Sequence, residues 1–192
     1  MRRGLQIAVL AVGLAWVAGT AANAAESPGF ALFRKVCIDT HADHAAALAA
    51  GQAAGFVLPA PNGSDPMLAN LQFEGAEAHG KLADGKVMTL LLGHKSTSLA
   101  GQPVVENLCA IATGVVDPTV DADVQAWVGV TPATNHDGNP FFVFTGAAGH
   151  HASASSLSEE DAAVAIHHGD MQTTAILHQP DTSVLVYGAF AP

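Results

Sequence analysis

The chain has 192 residues, 49% of them hydrophobic and only 12% charged, the composition of a globular protein rather than a disordered one. Its formal charge of -10, from 17 acidic against 7 basic residues, argues against nucleic acid and anionic lipid surfaces, which are held by clustered Lys and Arg. The 10 histidines outnumber Lys plus Arg, an excess that invites a search for metal ligands or a pH response.

Arg2 and Arg3, the apolar run over 5–19 (LQIAVLAVGLAWVAG) and the small-x-small triplet Ala22-Asn23-Ala24 have the three parts of a secretory signal. The run is shorter than the roughly 20 residues a spanning helix needs. Residues 1–24 are therefore expected to be cleaved, leaving 25–192 as a single domain, periplasmic or secreted, with no stable membrane span after processing. No cysteine follows the run to accept a lipid, and the arginine pair leaves general and twin-arginine export both open. Cleavage removes two basic residues and no acidic one, so the mature chain is more acidic still, with Arg34, Lys35, Lys81, Lys86 and Lys95 as its only permanent cations.

Three helix starts carry a capping side chain before proline: Ser27-Pro28, Asp65-Pro66 and Asp117-Pro118. Each precedes apolar residues at helical spacing, including Phe30, Phe33 and Cys37 in the first and Val120, Val124 and Trp127 in the third. Two capping boxes, Thr40-x-x-Asp43 and Ser158-x-x-Asp161, predict helices near 41–54 and 159–168, and Gly55, Gly129 and Gly169 stand where helices commonly stop. Strands are predicted near 76–82, over Lys86–His94 as a central strand, and over Val104–Val115, Phe141–Phe144, Met171–His178 and Ser183–Phe190. Ala83-Asp84-Gly85 and Gln179-Pro180-Asp181-Thr182 read as hairpin turns. Strands joined by turns imply an α+β two-layer domain: a largely antiparallel sheet of about five to six strands with helices packed on one face. Residues 131–140 and 145–157 read as long loops.

Cys37 and Cys109 are the only cysteines, and in an oxidising compartment an even pair is most simply a disulfide, here tying the first helix to the third strand. The alternative is a reactive Cys37 near His41, but no C-x-x-C and no surrounding positive charge would lower its pKa.

The order of an aromatic helix, Cys37, Thr40, an alanine-rich helix and Gly55-Phe56 resembles that of small uncharacterised exported bacterial proteins, as do the second cysteine and the tryptophan-containing helix. The resemblance implies no assigned activity and no catalytic residue.

No G-x-S-x-G, G-x-G-x-x-G or H-E-x-x-H motif is present, and Gly93-His94-Lys95-Ser96 lacks the glycines of a phosphate loop. Asn135-x-Asp137-Gly138 lacks the first carboxylate and the closing Glu of a calcium loop, and reads as a turn. His41 and His44, three apart at a helix start, would share one face near Asp39 and Asp43, half of a Zn or Cu site. His167-His168 reads as a helix C-terminal cap, and His150-His151 as a loop pair. The leading expectation is a non-catalytic binding or accessory module of the bacterial envelope, with a small molecule or an envelope protein as partner and no cofactor. The alternatives are a periplasmic transition-metal binder using His41 and His44 plus further histidines, and a small hydrolase drawing on Ser64, Ser96-Thr97-Ser98 or Ser155-Ser156.

Overall fold

The computed structural model describes residues 26–59, 71, 73–99, 101–132, 134–136 and 138–191. The proposed signal and the helix predicted after Asp65 lie outside them.

Helix α1 (Pro28–Phe33) starts as its sequence dictates: Pro28 opens it and Ser27 Oγ accepts from the Phe30 N–H at 3.4 Å. It continues as a widened turn, Arg34–Ile38, that buries Val36, Cys37 and Ile38. Thr40 does not cap the next helix. Its hydroxyl donates backwards to the carbonyls of Val36 (2.6 Å) and Cys37 (3.1 Å), closing the preceding turn instead. The chain then passes through His41 and Ala42 with φ of 53° and 52°, and α2 (His44–Ala53) begins three residues later than predicted, capped by Asp43 accepting from the Ala46 N–H at 2.9 Å.

Strands β1 (Leu58–Pro59), β2 (Glu74–Ala83), β3 (Lys86–Leu99) and β4 (Gln102–Ala112) follow. The β2–β3 turn carries Asp84 and Gly85 at φ of 50° and 75°, the left-handed pair that a tight hairpin of this hand requires. Helix α3 (Thr119–Val128) starts one residue beyond the expected proline, with Asp117 Oδ1 accepting from the N–H (2.9 Å) and hydroxyl (2.6 Å) of Thr119. It stops at Gly129, whose φ of 67° is left-handed. β5 (Thr134–His136), β6 (Asn139–Thr145) and β7 (Ala152–Ser153) lead to α4 (Glu159–His167), which Ser158 caps, and then to β8 (Met171–His178) and β9 (Ser183–Ala191).

All the strands join one antiparallel sheet in the order β1-β2-β3-β4-β9-β8-β6-β5, with β7 beside β6. The α+β class and the antiparallel pairing hold, but the sheet is larger than the five to six strands expected: seven strands have three residues or more, and β1 and β7 add two-residue pairings. The surplus comes from segments read as loops, since two or three paired residues leave no alternation to detect.

One sheet face carries the main core. Leu90, Leu92, Cys109, Ile111, Phe142 and Tyr187 pack there against Phe30 and Phe33 of α1, Ala47 of α2, and Val120, Val124 and Val128 of α3. Cys37 and Cys109 form the expected disulfide, which joins α1's continuation to β4 across 72 residues. Trp127 fills the layer between, with ring contacts to Phe30 (6.3 Å), Phe144 (5.5 Å) and Tyr187 (6.2 Å). The opposite face buries a smaller cluster of Leu91, Leu108, Ala110, Ala112, Val184 and Val186. Helix α4 packs against β8 and β9, beside the β3–β4 turn. Among the described residues no helix is long and apolar enough to cross a membrane.

Candidate functional site

The alternation of β4 sets up the site. Cys109 and Ile111 point into the helix-covered core, so Leu108 and Ala110 point to the other face, and Glu106, two residues before Leu108, shares their side. A carboxyl is thereby placed on an apolar sheet face. Its cross-strand neighbours are Lys95 on β3 and Phe190 on β9. Two positions further along β9 lies Gly188, paired with Leu108 on one side and Thr173 of β8 on the other.

Gly188 makes the site possible. A Cβ at this position would collide with both Glu106 Oε1 and Thr173 Oγ1. With only hydrogen there, the two side chains reach across β9, and the Thr173 hydroxyl donates to Glu106 Oε1 at 2.5 Å. Burial holds the Glu106 carboxyl above the ordinary carboxylate range, and the Thr173 hydrogen bond and the Lys95 charge offset this only in part. Lys95 itself is exposed and makes no ion pair within 4.0 Å of Glu106 among the described residues.

A cavity of about 390 Å³ opens above this pair. Phe141 and Val143 of β6 and Met171 and Ala175 of β8 form one wall, and Phe190 and Phe73 stand among the aromatic members of the lining. Its size lies within the range of small-molecule sites, and its make-up fits them too: apolar walls with a few converging polar groups. Two other cavities differ in kind. The cleft of about 610 Å³ between α4 and the β3–β4 turn has its polar groups, Glu160, His167 and His168, on the exposed surface. The cleft of about 490 Å³ beneath α1 is bordered by exposed Lys86 and Asp84. Of these three cavities, among the described residues, the β4–β9–β8 cavity alone holds a partly buried carboxyl with a raised pKa.

The residues singled out from the sequence fall elsewhere. His41 lies in the left-handed turn and His44 opens α2, so the helix face that was to unite them does not exist. His44 turns instead to β2, where its Nε2 lies 3.4 Å from Glu77 Oε2, and His79 Nε2 lies 3.6 Å from the same oxygen. Among the described residues no group of three or more His, Cys, Asp or Glu side chains is arranged to hold a metal ion. His151 is anchored, tilted against Phe144 at 4.6 Å and edge-on to Trp127 at 5.1 Å, with its Nδ1 3.1 Å from the Val128 carbonyl. His167 ends α4 and His168 caps it, as expected.

Two of the serines considered as nucleophiles have structural partners. Ser96 Oγ donates to Glu74 Oε2 at 2.9 Å, which holds that carboxyl below its ordinary range, and Ser155 bonds Ser153 at 2.9 Å. Ser64 lies outside the described residues. A Ser–His–Asp set that sequence reasoning missed is present: His178 Nε2 is 3.0 Å from Asp121 Oδ1, and its Nδ1 is 3.3 Å from Ser183 Oγ. Ser183 is fully buried, so the set ties the β8–β9 hairpin to α3 and presents no nucleophile.

No protein-family model, curated protein or solved structure matches the chain. The functional reading therefore rests on the chemistry of the site.

Proposed function

We propose that the protein is an exported, non-catalytic binding module that holds a small, mostly apolar molecule in the cavity on the second sheet face. The observation that carries this reading is a carboxyl set inside an apolar cavity of ligand size, kept there by a glycine that leaves room for it and a threonine that hydrogen-bonds it. Burying an acid costs stability, so a carboxyl at this place invites a functional explanation. Thr173 already donates to Glu106, and the described lining supplies neither a second hydrogen-bonding pair opposite it nor a paired base, so binding accounts for the site better than acid–base chemistry does.

Export to the periplasm or beyond belongs to the same proposal. The sequence of residues 1–24 supports it, and the Cys37–Cys109 disulfide fits an oxidising compartment. Native mass spectrometry of the protein recovered from the cell envelope tests both parts. It should show a mass that begins at Ala25 and, under gentle conditions, an added small-molecule mass that the cavity-filling variant Val143→Trp loses. An uncleaved chain would contradict export. A small-molecule adduct retained by the folded variant would contradict the cavity.

A further inference from the structure

We infer that the ligand class of this cavity is a cationic amphiphile: a primary amine whose ammonium pairs with Glu106 while its aliphatic or aromatic body lies against Phe141, Val143 and Phe190. The inference rests on the binding reading above and specifies which molecule that site accepts. Three features of the site support it.

The first is the unused bonding capacity of the carboxyl. Glu106 Oε1 accepts from Thr173, and no other hydrogen bond to this carboxyl occurs among the described residues. Among the described residues Oε2 thus has no partner and is left for a ligand. An ionised carboxylate only accepts, so the complementary head group is a donor, and an ammonium offers three donors together with the matching charge.

The second feature is that no cation among the described residues is ion-paired with the carboxyl. Lys95 stands opposite Glu106 in the β3–β4 register, yet it is exposed and not within ion-pair distance among the described residues. A carboxyl desolvated without a close cation gains most from a ligand that brings one, because the surroundings strengthen the pair and leave the unpaired state costly. A ligand carboxylate would meet the opposite situation, with two acids in one apolar cavity.

The third feature is the field of the whole molecule. With 17 acidic residues against 7 basic, the protein attracts cations and repels anions before any contact is made. Among the described residues the cavity wall adds no charge beyond Glu106 and the Lys95 at its edge. Apolar walls select the ligand's body and Glu106 selects its head.

Isothermal titration of the mature, disulfide-intact protein at about pH 7 with octylamine, octanol and octanoate separates the possibilities, since the three probes share one chain length and differ in head group. Octylamine is expected to bind at least about tenfold more tightly than octanol, with octanoate weakest. Glu106→Gln keeps an oxygen that can accept from Thr173, and it should abolish the preference for octylamine over octanol. Equal affinity for the three probes, tighter binding of octanoate, or a preference that survives in Glu106→Gln would overturn the amine assignment while leaving the cavity reading intact. If no probe binds, or if Val143→Trp and Ala175→Phe, each checked for native folding by circular dichroism, bind as the parent does, the cavity reading fails and the amine assignment with it.

Discussion

Glu106 is where the energetics of single residues are most exposed to experiment. Its folded-state pKa is raised above the ordinary value of 4.5, mainly by burial. The protonated acid is therefore favoured by folding: the stabilisation is fully present below about pH 4.5 and is lost as pH rises through the folded-state value. Glu106→Gln carries no such proton, so relative to the parent it should gain stability as pH climbs from about 4.5 towards neutrality. Urea unfolding of both proteins across that interval measures this, and a constant difference between them would show that Glu106 is not desolvated. The residue was legible in part: a charge inside the apolar run over 104–115 breaks its pattern, and Gly188 inside a strand signals a close approach. Their meeting was not legible, because Glu106 and Thr173 are 67 positions apart and become neighbours only when β4 and β8 flank β9.

Among the elements, helix starts and hairpin turns were the most readable, for their chemistry is local. Ser27, Ser158, Gly129 and the Asp84-Gly85 turn do what their residue types predict. The Thr40 box failed because its hydroxyl had two nearer acceptors in the widened turn behind it, and that failure dissolved the His41–His44 pair. Helix α2 also shows how closely an element can fit its neighbour. A Cβ on Gly51 would collide with Leu90 Cδ2, and Leu90 is fully buried. Gly51→Ala should gain up to about 1 kcal/mol of helix propensity and lose about 1–3 kcal/mol to overpacking. We expect net destabilisation of about 1 kcal/mol, readable from denaturant midpoints; a more stable variant would mean that α2 stands off the sheet.

At the scale of the whole molecule, the long strands were foreseen because apolar runs of strand length bounded by turn residues mark them, while the three short strands were not. The sheet divides the molecule into a helix-covered face that supplies the core and a second face that supplies the cavity. The disulfide locks the first of these. Replacing both Cys37 and Cys109 by Ala should cost about 4 kcal/mol in the chain-entropy model for a loop of this length. That corresponds to a fall of roughly 10 °C in Tm, checked by calorimetry. The same double variant should still bind octylamine at a temperature where it is folded, because neither sulfur lies on the cavity face; loss of binding by the folded variant would show that the two faces are coupled.

The claim on which the rest depends is that the second sheet face, and not the helix-covered one, receives a small molecule. Amide correlation spectra recorded during an octylamine titration test it most directly. The account predicts saturable shifts concentrated at Glu106, Leu108, Thr173, Ala175, Gly188 and Phe190, with α1, α2 and α3 unmoved. Shifts centred on those helices, or spectra unchanged at the highest amine concentration, would contradict it.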